Sequence, residues 1–264
     1  MKKQTWMVVF LVVVAFSLQG CFYSLQGSGR IIKQERDISP DFNGVRVSNH
    51  GDLVVRLGDQ VKLTVEGDDN ILPHIVTRVA GDTLVLETDK DLRQGWSSRR
   101  GVHYYLTVKP GQLNRLVLTS HGDAEVPELT GSGASVRLSS HGDIAIGRVR
   151  TDDFKLRLSS HGDVKIDNLE ADSLKVSISS HGDVRILDGA VKEQDIALTS
   201  HGDYRAPGLA SDECSVSNTS HGSVRVWAKK HLKARVTSHG RVYYRGDPEI
   251  DASKSSRKKL RRLD

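Results

Sequence analysis

The sequence predicts an all-β protein: a parallel β-helix with turns of about twenty residues, preceded by a less regular β segment that holds one short helix. Three observations carry this. Ser-His-Gly begins at Ser120, Ser140, Ser160, Ser180, Ser200, Ser220 and Ser238, at intervals of twenty residues and finally eighteen. Around each copy apolar and polar residues alternate, the period of a strand with one buried face. The composition suits tight turns, with 24 Gly and only 5% aromatic residues in 264.

The chain opens with Met1-Lys2-Lys3 and an uncharged apolar run from Trp6 to Phe16. That run is shorter than the roughly 20 residues a membrane-spanning helix needs. A basic start and a short apolar stretch read as an export signal, residues 1–20. Leu18-Gln19-Gly20-Cys21 resembles a bacterial lipoprotein cleavage box, which implies cleavage before Cys21 and acylation of that residue. Each buried acyl methylene contributes about 0.8 kcal/mol to anchoring, so the membrane is the first expected partner. Phe22 rather than Asp after Cys21 implies sorting to the outer membrane of a Gram-negative cell. The other cysteine, Cys214, falls at inward parity in the repeat and reads as a small buried hydrophobe; a disulfide framework is excluded.

Residues 21–41 read as a linker behind the anchor. Residues 42–110 are irregular. Val45, Val47, Leu53, Val55, Leu57, Val61, Leu63 and Val65 alternate as strands, Gly67 to Ile75 reads as a turn with a short helix, and Gly81-Asp82 starts a hairpin with Leu84 and Leu86 inward. Asn49-His50-Gly51-Asp52 is a degenerate copy of the repeat motif.

Residues 111–247 carry the repeat. In one turn Val136, Leu138, Ser140, Gly142, Ile144 and Ile146 share a face, and Arg137, Ser139, His141, Asp143 and Ala145 share the other. The shortened last interval loses an even number of residues, so inward and outward faces keep their identity. Parallel stacking would place the seven histidines in a column about 29 Å long. Glycine permits the bend at this corner, and a second corner is expected near Gly147, Asn168 and Gly189.

Phe42, Val45 and Val47, the stretch Val65-Glu66-Gly67-Asp68-Asp69-Asn70-Ile71-Leu72, then Thr77, Gly81 and Leu84, together with the repeated Ser-x-Gly-Asp corners, resemble the bacterial auto-transporter adhesin head GIN-domain family. The resemblance covers about residues 29–247. It implies a right-handed parallel β-helix at the cell envelope, with no established enzyme activity and no catalytic residues to carry over. The histidines depart from it, because family corners usually carry Gly, Ala or Ser there.

The candidate ligand residues are His121, His141, His161, His181, His201, His221 and His239, with Asp123, Asp143, Asp163, Asp183 and Asp203. Ser, His and Asp in one motif invite a catalytic triad, but Ser and His fall on opposite faces, and a nucleophile must reach its base. A site repeated on a flat wall also lacks the unique cluster that a glycan-active β-helix enzyme needs, so no catalytic residue and no enzyme activity are expected. A transition metal such as Zn, Cu or Ni is the speculative cofactor, since imidazole suits these ions. A flat ladder brings ligands together only in pairs, whereas a good site needs three or four. The remaining reading is structural, with stacked rings whose joint protonation is disfavoured and the Asp column favouring it, hence a pH-sensitive surface.

Lys165, Arg185, Arg205 and Arg225 form a further outward column. Such a polar stripe suits an envelope glycan or a protein partner. The formal charge is +5, and the tail from residue 252 alone carries a net +5. The body is therefore near neutral, and nucleic acid is not expected as a partner. Residues 248–264, polar and basic without an apolar period, are expected to be disordered.

Overall fold

The computed structural model describes residues 24–90, 92, 95–139, 141–159, 161–219, 221–237 and 239–263. The export signal and Cys21 lie outside these residues, as do Ser140, Ser160, Ser220 and Ser238. The chain is a β-solenoid of about seven turns with roughly twenty-residue spacing.

Two short strands, β1 (Leu25–Gln26) and β2 (Ile31–Arg36), precede β3 (Gly44–Val47), β4 (Asp52–Leu57) and β5 (Lys62–Asp68). A 3-10 turn, Leu72–His74, leads into a hairpin of β6 (Ile75–Ala80) and β7 (Thr83–Thr88), where Gly81 takes φ 60°. Strands β8 (Trp96–Ser97), β9 (His103–Val108) and β10 (Arg115–Leu118) follow. The solenoid proper is β11 (Ala124–Leu138), β12 (Ile144–Leu158), β13 (Val164–Ile178), β14 (Val184–Leu198), β15 (Tyr204–Asn218) and β16 (Ser223–Val236). It ends in β17 (Arg241–Arg245), β18 (Glu249–Asp251), helix α1 (Lys254–Arg257) and β19 (Leu260–Arg262).

All but β1 and β8 belong to one 17-stranded sheet. From β11 to β15 each strand pairs in parallel with the strand twenty residues on, Ile144 with Val164 and Val164 with Val184. No break separates the irregular first part from the repeat, because β10 pairs with both β3 and β11, and β4 pairs with β11. Antiparallel strands β2, β5 and β9 close the first end. Thus the residues expected to be a linker contribute β2, which pairs with β5 from Ile31 opposite Asp68 to Arg36 opposite Leu63. A solenoid end must be covered or its core meets water, and β2 and β5 meet that need.

Inside each fifteen-residue strand the alternation slips twice. In β12, Ile144, Ile146, Val149, Thr151, Phe154, Leu156 and Leu158 point inward. Neighbours Gly147-Arg148 and Asp152-Asp153 both face out. Each outward pair turns the chain by reversing the parity, so a coil has three short legs and three corners. The sequence reading placed one corner near Gly147 and missed that at Asp152-Asp153, because two adjacent polar residues barely disturb an alternating pattern.

The shortened interval is also less simple than an even deletion. Arg205 pairs with Arg225 at an offset of twenty, Ala210 with Trp227 at seventeen, and Glu213 with His231 at eighteen. Three residues are lost around Pro207 and one is regained after Ser211, so inward parity returns by Cys214 and Leu232.

Among the polar side chains buried in the solenoid, Gln194 and Asn218 are tolerated because each finds a partner. Buried Gln194 accepts a 3.1 Å hydrogen bond from the Tyr204 hydroxyl, and buried Asn218 donates to the Gly222 carbonyl at 2.8 Å. Cys214 is buried as expected, and burial pushes its thiol up to about 12.

The basic tail is ordered, against expectation. Strand β18 lies on β16 and β19 on β17. Ser253 caps α1 by accepting from the Ser256 amide, and buried Ser256 accepts from the Val236 amide at 3.0 Å. Leu260 seals the core. Two inward side chains among six cations, five of them exposed, make too sparse a pattern to read as structure, yet they suffice to cover the last turn.

Candidate functional site

The Ser-His-Gly-Asp corner assigns each residue a separate task. Ser180 is buried while His181 beside it is exposed; Ser120 and Ser200 are half-buried. The buried Ser180 hydroxyl has no hydrogen-bond partner among the described residues. Serine and imidazole therefore lie on opposite faces of the wall, and the geometry of a triad is absent at that turn.

Glycine is required by contact. A Cβ on Gly142 would overlap the carbonyl oxygen of Gly122, one on Gly162 that of Gly142, and one on Gly222 that of Gly202. None of these glycines has positive φ. The bend does not select glycine here; the backbone of the preceding turn does.

Aspartate ties the turns together. Oδ1 of Asp52 accepts from the Asp123 amide at 2.9 Å, Asp123 from Asp143 at 2.8 Å, and Asp143 from Asp163 at 2.8 Å. Asp163 accepts from Asp183 at 2.7 Å, Asp183 from Asp203 at 2.8 Å, and Asp203 from Ser223 at 2.6 Å. Each carboxylate satisfies an amide that the corner would otherwise leave to solvent. Ser223 ends the series because it can donate its amide but has no carboxylate to offer onward. The five aspartates named as candidate ligands thus each spend one oxygen on the fold. Arg205 spends two others, reaching Asp183 and Asp203 at 2.7 Å each.

Asp163→Ala removes a charge-assisted bond and is expected to cost about 1–2 kcal/mol, less than the full value because the site is exposed. Asp163→Asn keeps an acceptor and should lose less than half as much. Denaturant titration of both variants checks this, and an Ala variant as stable as the parent contradicts the ladder's role.

The imidazoles form one continuous stack. His50 joins it at the N-terminal end, so the column has eight members rather than seven. Ring centroids from His50 to His239 are 4.8–5.0 Å apart, with interplanar angles of 1–13°. Trp96 closes the N-terminal end edge-on to His50 at 6.1 Å. Its role could not be read from sequence, since it lies outside the repeat. All eight rings are exposed. Two parallel ring planes share no point, so an ion cannot lie in the planes of two neighbours unless a ring rotates. Among the described residues, no three His, Cys, Asp or Glu side chains are grouped to hold a metal.

Desolvation by its packed neighbours, then repulsion from His121, lowers the His50 pKa from 6.5 even though part of the ring meets solvent. The unfolded chain therefore takes up the proton more readily than the folded one. This stability is present above pH 6.5 and is lost as pH falls through the folded value. His231 runs the other way: Glu213, at 2.7 Å, raises it, and its contribution is lost as pH rises. His50→Gln should therefore flatten the decline in unfolding midpoint between pH 7 and pH 5. Identical declines in variant and parent would refute the assignment.

The family model described as "putative auto-transporter adhesin, head GIN domain" matches residues 41–248. The fold is similar to that of a putative adhesin of Parabacteroides merdae, with TM-score 0.67, 17% identity, and coverage of 90% of this chain and 96% of that one. A putative adhesin of Parabacteroides distasonis aligns with TM-score 0.67, 19% identity and coverage of 91% and 97%. A putative lipid binding protein from the same organism gives TM-score 0.66, 20% identity and coverage of 91% and 100%. A comparison with curated proteins finds no match. The chain belongs to the family of auto-transporter adhesin head GIN domains.

Proposed function

We propose that the protein is a lipid-anchored module of the bacterial cell envelope that binds a glycan or protein partner without catalysis. One observation carries this reading: the outer wall repeats the same groups turn after turn, with the imidazoles stacked in one column and the aspartates tied into the backbone. Repetition suits a ligand that is itself extended, whereas catalysis needs one preorganised constellation. Membership of an adhesin-head family and likeness to proteins named as adhesins support a binding role. Cys21, in its lipoprotein box, supplies the anchor, and Phe22 directs the protein to the outer membrane.

Two measurements test this. Metabolic labelling with a fatty-acid analogue should mark the protein, and Cys21→Ser should abolish the label; an unlabelled parent overturns the anchor. The purified protein should bind isolated envelopes saturably and release no product from them; product formation overturns the non-catalytic reading.

A second reading rests on the eight exposed imidazoles, which offer a transition metal many weak sites after ring rotation. Calorimetric titration with zinc, copper and nickel decides it, because absence of heat at sub-millimolar metal removes it.

A further inference from the structure

The outward column two residues beyond the aspartates changes character along the solenoid. Lys165 pairs in register with Arg185, Arg185 with Arg205, Arg205 with Arg225, and Arg225 with Tyr243. Lys165 is engaged by Asp167 at 2.8 Å, and Arg205 by its two aspartates. Arg185, Arg225 and Arg245 have no carboxylate partner among the described residues. Arg225 instead sits over the Tyr243 ring at 5.3 Å, and Arg245 over the Trp227 ring at 4.4 Å. A guanidinium stacked on an aromatic face is held flat while its N–H edge stays free to meet an anion. Beside them lies an open cavity of about 510 Å³ lined by Arg185, Leu187, Arg205, Pro207 and Arg225. Leu187 in that lining is 39% exposed, which leaves an apolar floor between the cations.

We propose that this face, built on Arg185, Arg225 and Arg245, is the ligand surface of the module, and that its ligand is a linear acidic glycan carrying carboxylate or sulfate groups. The proposal rests on the binding-module reading and names its ligand class. Arg185 and Arg225 stand two turns apart, about 10 Å along the stack. A single small anion cannot span them, whereas a polymer with acidic sugars at intervals can. Guanidinium forks suit planar carboxylates and sulfates, and they hold their charge at every working pH. Leu187 and Pro207 give the apolar faces of sugar rings a place to rest. An acidic peptide fits less well. It would gain most by adding a strand, but β14, β15 and β16 are already paired on both sides. The face also lies at the opposite end of the solenoid from β1, which directly follows the anchor segment and pairs with β8 beside Trp96.

The test uses the full chain purified in detergent and titrated with polygalacturonate, dextran sulfate, neutral dextran and polyglutamate. An acidic polysaccharide should bind, with affinity falling as salt rises, and neutral dextran should not. Arg225→Ala with Arg245→Ala should weaken that binding about tenfold or more. Arg137→Ala with Arg157→Ala, which removes equal charge from an exposed position on another leg, should change it less than about twofold. Equal losses in both double variants, or polyglutamate binding as tightly as the glycans, would reduce the effect to plain charge attraction and overturn the proposal. If no acidic glycan binds but isolated envelopes still do, this assignment alone fails. If envelope binding is lost too, the module reading fails with it.

Discussion

Gly162→Val should cost about 4 kcal/mol or more, enough to unfold the middle of the solenoid. The cause is room. A Cβ there would overlap the carbonyl oxygen of Gly142, and that oxygen belongs to the backbone of the preceding turn. A flexible side chain could move aside; a backbone carbonyl at a corner held between the paired strands β11 and β12 cannot without shifting both. The same obstruction recurs at Gly122, Gly142, Gly202 and Gly222, so separating one pair of turns displaces the stack above it. Gly133 is the control. A Cβ there meets nothing within 4 Å, and Gly133→Ala should stay within about 0.5 kcal/mol of the parent. Denaturant unfolding monitored by circular dichroism separates the two outcomes. If Gly162→Val unfolds within 1 kcal/mol of the parent, the turns do not approach as closely as these glycines imply.

This contact was legible only in part. The sequence shows that glycine recurs at each corner, and bending is the nearest explanation for a glycine when distances are unknown. The true constraint lies between residues twenty apart and has no local signature. The same holds for the aspartates. Their recurrence and their shared outward face with histidine suggest a ligand surface, yet the bond each makes is to an amide one turn away. What sequence carries well is parity. Val136, Leu138, Ile144 and Ile146 are all buried as the alternation requires, and the turn spacing follows from the motif interval. What it carries poorly is anything that happens once. Trp96 at the end of the imidazole stack, the three-residue shortcut at Pro207 and the covering of the last turn by Ser256 and Leu260 each lack a second copy to announce them. The stack itself followed from the interval. Its eighth member, His50, shows in the sequence only as a degenerate copy of the motif far outside the regular interval, which gives it no place in the column.

Phe154→Ala is expected to cost about 3–5 kcal/mol. Phe154 has no exposed surface and is among the largest fully buried side chains. Its inward column reads Ala134, Phe154, Leu174, Gln194, Cys214 and Leu232 across successive turns. A column of equal residues would fill each turn alike. Here a large ring stands beside a small alanine, so the volume Phe154 occupies is shared with the turn before it. Removing the ring opens a void across β11, β12 and β13 that none of them can close alone, since the ladders fix their spacing. Phe154→Leu restores most of the volume and should cost less than about 1.5 kcal/mol. Because each turn touches only its neighbours, the damage should also be local. Hydrogen exchange should quicken first in β11 to β13, while β15, tied to β14 by the Tyr204–Gln194 hydrogen bond, and β16 beyond it keep their protection. Uniform loss of protection along the whole chain would show instead that the solenoid unfolds as one cooperative unit, with the core acting as a single body rather than as a sum of stacked turns.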